Sequence, residues 1–124
     1  MYNETVMDHF QNPRNTGEID QPDGVGQVGN PACGDVMRVF VRITDGRIVE
    51  ARHQTFGCAA AIACASAATE MVTGQNLDAA FALTREQVAA KLDGLPEHKM
   101  TCSNLAPDAI RAAIEDYRSK QSNG

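Results

Sequence analysis

Apolar and polar side chains alternate along residues 35–44. The apolar set on one face is Met37, Val39, Val41 and Ile43, and the other face carries Arg38, Phe40 and Arg42. A period of two predicts a half-buried strand. Asp45-Gly46 then predicts a two-residue hairpin turn, so we expect Arg47 to Phe56 to form the antiparallel partner strand.

Two segments precede this predicted hairpin. Tyr2 to Gln11 is expected to be a short helix, because Val6 and Phe10 lie one turn apart and Pro13 follows its end. Asn15 to Pro31 is rich in glycine and aspartate and is expected to be a long surface connection.

Helices are predicted after the hairpin. Ala59 to Val72 is dominated by Ala, Ile and Met, which indicates a buried helix that stops at Gly74. Leu77 to Leu92 is expected to form one or two short helices, with a helix start near Thr84. A final helix would bury one stripe, made of Leu105, Ala109, Ile110, Ala113, Ile114 and Tyr117. The expected fold is α+β, a small sheet with helices on one face, and residues 119–124 are expected to fray.

Length and charge narrow the class of protein. A chain of 124 residues suits a single domain over residues 1–124. A net charge of -5 disfavours binding to nucleic acid. The longest apolar run, Ala59 to Ala65, is too short to cross a membrane, and the N-terminal residues do not resemble a signal peptide. We therefore expect a cytoplasmic protein whose four cysteines serve metal or sulfur chemistry rather than disulfides.

Three cysteines and one carboxylate are candidate ligands. Cys33, Cys58 and Cys102 with Asp35 would supply four donors, enough for a tetrahedral metal or an iron–sulfur site. Cys58 and Cys102 are each expected at the start of a helix, which favours the thiolate form. In the alternative interpretation the cysteines only fill space in the core, and Asp35 is a capping or hairpin-edge carboxylate.

The neighbouring residues refine this interpretation. Gly34 and Gly57 would let the backbone approach a bulky ligand and donate amide hydrogens to its sulfurs. Cys64 lies six residues after Cys58, on the opposite side of the same predicted helix, and is expected to be a core residue. The chain has no Cys-x-x-Cys pair, so neither a zinc ribbon nor a thioredoxin-type motif is proposed.

Several ordered motifs resemble those of IscU/NifU-type scaffold proteins of iron–sulfur cluster assembly. The matching segments are Asp8–Asn15, Gly29–Asp35, Thr55–Ala59 and Lys99–Ser103. The similarity covers nearly the whole chain. It implies an IscU-like fold, in which a small three-stranded antiparallel sheet packs against several helices.

The resemblance also implies a function. Such a scaffold is not a turnover enzyme: it accepts sulfur from a cysteine desulfurase, takes iron and electrons from donors, and builds a transient [2Fe-2S] cluster for apo-proteins. By position, Cys33, Cys58 and Cys102 match the cysteines that bind the cluster in this family, and Asp35 matches the family's carboxylate at the same site. Cys102 also matches the acceptor of persulfide sulfur, and Lys99 matches a cation near the site. Because an oxygen ligand holds iron less firmly than a thiolate does, Asp35 is expected to ease cluster release.

Two positions depart from the family pattern. Relatives usually have histidine immediately before the last cysteine, where this chain has Thr101. Leu95–Lys99 differs at two of five positions from the segment that binds an Hsp70-type chaperone, so dependence on that chaperone stays open. His98 is expected to be a solvated loop residue, His53 a packed or hydrogen-bonded one, and His9 part of the first helix.

A zinc-bound sulfur carrier similar to SufU is the alternative function. The same four ligands suit zinc, which could also occupy the site in the isolated protein. SufU-type chains carry an insertion between the second and third cysteines, however, and the interval from Cys58 to Cys102 leaves no room for one.

Overall fold

The two segments predicted to form a hairpin are both strands of one β-sheet. A computed structural model describes residues 2–30 and 34–123, and it describes only the backbone of Asn30, His98, Lys99, Thr101, Cys102, Ser122 and Asn123. The elements are α1 (Glu4–Gln11), β1 (Gly24–Asn30), β2 (Asp35–Thr44), β3 (Arg47–Phe56), α2 (Ala59–Val72), α3 (Leu77–Phe81), α4 (Arg85–Lys91), a 3₁₀ segment (Glu97–Asn104) and α5 (Leu105–Asn123). The strands form one antiparallel sheet in the order β1-β2-β3, which confirms the expected fold class.

The β2–β3 hairpin turns where the sequence predicts. Asp45 and Gly46 both have positive φ, 53° and 74°. Thr44 pairs with Arg47 across the turn. Two successive left-handed residues match the right-handed twist of the flanking strands, which explains why an Asp-Gly pair stands here.

β1 corrects the expectation for Asn15 to Pro31, because residues 24–30 of that segment are a strand. Its sequence, GVGQVGN, lacks the run of β-branched residues that would predict a strand. Two of its three glycines are needed for space. A Cβ on Gly26 would lie 2.8 Å from Ala112 Cβ and closer still to the Ala109 carbonyl of α5. The close packing of α5 on β1 explains these glycines, and the local sequence pattern does not reveal that packing.

Capping residues set the helix starts. α1 begins at Glu4, two residues later than predicted, because the Asn3 side chain accepts a hydrogen bond from Val6 N at 2.8 Å. α2 has the predicted bounds. The expected helical region after it is two helices, and a capping box of Thr84 and Gln87 opens the second. α5 continues to Asn123 and includes residues 119–123, whose expected fraying stays a prediction.

The core lies between the sheet and two helices. α5 packs on β1 and β2, and α2 packs on β3. The predicted strand and helix stripes are buried, except that Tyr117 is only partly so. Residues 17–23 run from the free edge of β3, where Gly17 N donates to His53 O, to β2, where Asp23 N donates to Val41 O. Within the described part of the chain, none of the helices is long and apolar enough to cross a bilayer.

Candidate metal centre

Strand pairing brings Asp35 and Cys58 together although 23 residues separate them. Asp35 opens β2, and its neighbour Val36 pairs with Phe56 at the end of β3. Cys58 follows two residues later as the N-cap of α2. The predicted position of Cys58 at a helix start is confirmed.

The Asp35 carboxylate faces the helix layer. Asp35 leads the same alternating stripe as Met37 and Val39, so its side chain points to the core side of the sheet, and only 2% of the residue is exposed. Its Oδ1 accepts a hydrogen bond from Cys58 N at 3.2 Å. The first turn of α2 contains no acidic residue, and Asp35 supplies the negative charge that a helix start favours. The capping alternative for Asp35 is thus borne out in this structure.

The second carboxylate oxygen lies beside the Cys58 thiol. The Cys58 thiol donates a hydrogen bond to Asp35 Oδ2, with Sγ and Oδ2 3.6 Å apart. A tetrahedral zinc ion, with sulfur at about 2.3 Å and oxygen at about 2.0 Å, separates those two ligands by about 3.5 Å. The two side chains therefore have a spacing that suits two ligands of one metal ion. Capping and ligation are compatible, since they use different oxygens of Asp35.

The two candidate glycines differ from each other. Gly34 has φ +71°, and a Cβ there would meet nothing within 4 Å. Glycine is therefore favoured at this position by the left-handed backbone conformation and not by a lack of space. Gly57 does not have positive φ. Its empty Cβ position faces the Asp35 side chain instead: a Cβ would lie 2.5 Å from Asp35 Cγ and closer to Oδ1. The expectation that the backbone at Gly34 and Gly57 donates amide hydrogens to ligand sulfur stays a prediction.

The other candidate ligands are described incompletely. Cys33 lies outside the described residues. Cys102 falls in the 3₁₀ segment, three residues before α5 begins, and the side chains of Cys102 and Lys99 are not described. The 3₁₀ segment packs against α2, whose N-cap is Cys58. Among the side chains that the structure describes, no group of three or more His, Cys, Asp or Glu could hold a metal ion.

Two histidines have structural partners, and sequence reasoning identified neither set of contacts. His53 Nε2 lies 3.0 Å from Arg14 O, and burial lowers the pKa of His53. His9 Nδ1 lies 2.7 Å from Ser66 Oγ, which also accepts from Arg14 N at 2.9 Å. Burial lowers the pKa of His9 as well. His9 therefore joins α1 to α2, and His53 joins β3 to the segment after α1. This confirms that His53 is hydrogen-bonded and that His9 belongs to α1.

Cys64 is the core residue that the sequence predicts. It is fully buried in α2 and is not part of a disulfide. Burial raises the pKa of its thiol to about 12. Cys64 therefore stays protonated at neutral pH and offers no thiolate.

An apolar rim adjoins the Asp35–Cys58 pair. Val36 and Phe56, paired on the outer face of the sheet, are 37% and 75% exposed. Val36 follows Asp35 directly, and Phe56 lies two residues before Cys58.

Comparisons with known proteins agree on one family. A family model described as the NifU-like N terminal domain matches residues 1–123. "Iron-sulfur cluster assembly scaffold protein IscU 1" of Archaeoglobus fulgidus is 57% identical over 117 residues, covering 94% of this chain and 76% of that protein. The scaffold protein IscU of Escherichia coli is 50% identical over 124 residues, covering 97% and 96%.

Solved structures share the fold. The N-terminal part of a NifU-like protein from Brucella abortus superposes with a TM-score of 0.79 at 20% identity, covering 95% of this chain and 94% of that one. An iron–sulfur cluster assembly scaffold protein of the SUF system, from Fervidobacterium islandicum, gives a TM-score of 0.77 at 18% identity, covering 91% of this chain and 96% of that one. At these identities the likeness shows the fold alone.

Proposed function

Because this chain belongs to the family of NifU-like N-terminal domains, we propose that it is a scaffold on which an iron–sulfur cluster is assembled and then passed to apo-proteins. Relatives that match it over nearly its whole length are named as such scaffolds. The observation that carries the proposal is the spacing of Asp35 and Cys58, which suits two ligands of one metal ion. The scaffold itself is not a turnover enzyme.

The proposed cargo is a [2Fe-2S] cluster held by Cys33, Asp35, Cys58 and Cys102. Thiolates are the usual cluster ligands, and one oxygen ligand makes the set weaker. Asp35 is already oriented by the Cys58 amide, so it can bind iron without losing its contact with α2. Cys102 is the proposed acceptor of persulfide sulfur, and Lys99 would offset the negative charge of the cluster.

The proposed partners follow from the cargo. A cysteine desulfurase would supply the sulfur, and separate donors would supply iron and electrons. Apo iron–sulfur proteins would accept the completed cluster. The exposed side chains of Val36 and Phe56 offer an apolar contact beside the proposed site. An Hsp70-type chaperone is a further partner that the altered Leu95–Lys99 segment leaves open. We propose that residues 1–124 act as one domain in the cytoplasm.

Anaerobic reconstitution tests this function. The protein is incubated with ferrous iron, cysteine and a desulfurase, and visible absorbance is followed before and after addition of an apo-ferredoxin. The expected result is a [2Fe-2S] chromophore that moves to the ferredoxin. A colourless, zinc-containing protein that carries labelled sulfur would instead support a SufU-like relay.

Replacing Asp35 tests the role of its oxygen. Asp35→Ala leaves only the firmer ligands, so the cluster should persist longer and transfer more slowly than in the unaltered scaffold. The measurement is the decay of visible absorbance with and without an acceptor. An unchanged or shorter lifetime would contradict this role.

A further inference from the structure

We propose that Gly57 is a positioning residue, which holds the Asp35 carboxylate against Cys58 by leaving open the volume that the carboxylate fills. The effect of this positioning on cluster release rests on the proposed scaffold function. The positioning itself concerns the protein without cargo. It can therefore be tested independently.

The space at Gly57 is specific to the Asp35 side chain. A Cβ on Gly57 would lie 2.5 Å from Asp35 Cγ, 3.0 Å from Asp35 Cβ, and closer still to Oδ1. All three nearest atoms belong to one side chain, and none belongs to the backbone. Because Gly57 does not have positive φ, alanine is compatible with its backbone conformation. The requirement for glycine is therefore one of volume.

Displacing the carboxylate would break its contacts with Cys58. Oδ1 accepts the Cys58 N–H at 3.2 Å, and Oδ2 lies 3.6 Å from Cys58 Sγ. The far end of a side chain moves more readily than backbone, so a methyl group at position 57 should turn the carboxylate away and leave the strand and helix in place. Gly57→Ala should then resemble Asp35→Ala even though it keeps the carboxylate.

A double-mutant cycle on the protein without cargo tests the positioning. Gly57→Ala should lower the urea midpoint in the unaltered chain. In an Asp35→Ala background it should change the midpoint little, because only the 3.0 Å approach to Asp35 Cβ remains. An equal fall in both backgrounds would overturn the proposal. If the single variant fails to fold, the folded double variant still supports it, and an unfolded double variant overturns it.

The Cys58 amide gives a second readout. In ¹H–¹⁵N spectra its resonance should move upfield in Gly57→Ala, as in Asp35→Ala, because the charge-assisted hydrogen bond is lost in both. Gly29→Ala is the matched control, since its Cβ would lie at an ordinary 3.4 Å from the Asp35 backbone oxygen. It should leave the amide unchanged. A Cys58 amide at its original position in Gly57→Ala would overturn the proposal.

Cluster lifetime tests the functional consequence. After reconstitution, Gly57→Ala should hold its cluster longer than the unaltered scaffold, in the same direction as Asp35→Ala, and Gly29→Ala should not. A lifetime equal to that of the unaltered scaffold would overturn the link to release. If the unaltered scaffold builds no cluster, the proposed function fails, and the urea and amide measurements still decide the role of Gly57.

Discussion

Gly26→Ala should destabilise the fold by forcing α5 away from β1. A Cβ at Gly26 would lie 2.8 Å from Ala112 Cβ, and closer to Ala109 O and Ala113 N. Two of these three neighbours are backbone atoms of a helix whose inner stripe is fully packed, so no side-chain rotation relieves the contact.

The size of the effect follows from the shift required. Restoring even the longest of these contacts to an ordinary 3.4 Å moves the helix by 0.6 Å or more. A gap of about 0.5–1 Å forfeits a quarter to a half of each dispersion contact that it opens. Overpacking typically costs about 1–3 kcal/mol, and rigid backbone places this variant near the upper value. For a chain of this length, about 3 kcal/mol lowers Tm by roughly 12 °C.

Thermal and urea unfolding followed by circular dichroism measure this effect. Gly29→Ala serves as the control, because it changes the same residue type on the same strand without a short contact. Its stability should stay within about 1 kcal/mol of the unaltered protein. If Gly26→Ala had the same Tm as the Gly29→Ala control, the close approach of α5 to β1 would be refuted.

Three further predictions concern buried polar groups and the core thiol. Since burial lowers the pKa of both His9 and His53, the unfolded chain binds protons first as pH falls, and stability should decline from about pH 6.5 towards 5. A urea midpoint that rises on acidification over this range would contradict it. Ser66→Ala leaves the His9 ring and the Arg14 amide without their hydroxyl partner, and should lower the unfolding free energy by about 2 kcal/mol in urea titrations. Cys64 should resist iodoacetamide at pH 8 in the native protein and react in guanidinium, as peptide mass spectrometry would show.

Two controls separate these effects from general damage. Ser119→Ala removes the same hydroxyl from an exposed position on α5, so its unfolding free energy should match that of the unaltered chain. Modification of native Cys64 at the rate seen in guanidinium would show that α2 opens far more readily than its buried position indicates.

Part of the candidate site was predictable from residue types. Cysteine usage in a chain of this composition pointed to metal chemistry, and Gly57 before an apolar run pointed to a strand that ends where a helix begins. A capping role for Asp35 was one of the alternatives, but the helix that it caps was not predictable, because the donor and acceptor lie 23 residues apart. One sign was present: Asp35 stands at the head of the inward stripe of β2, where a carboxylate is unusual.

The sequence alone determined the elements whose signals are local. The alternation of β2, the Asp-Gly turn, the alanine-rich run of α2 and the Thr84 cap each act through neighbours within a few residues, and each formed with the expected type. Tertiary structure decided β1 and the pairing of Asp35 with Cys58. Glycine stands at Gly26 and Gly57 because atoms of another element occupy the volume that a Cβ would fill. The sequence does not show which element this is. Only the packed fold shows that α5 lies over one glycine and the Asp35 carboxylate over the other.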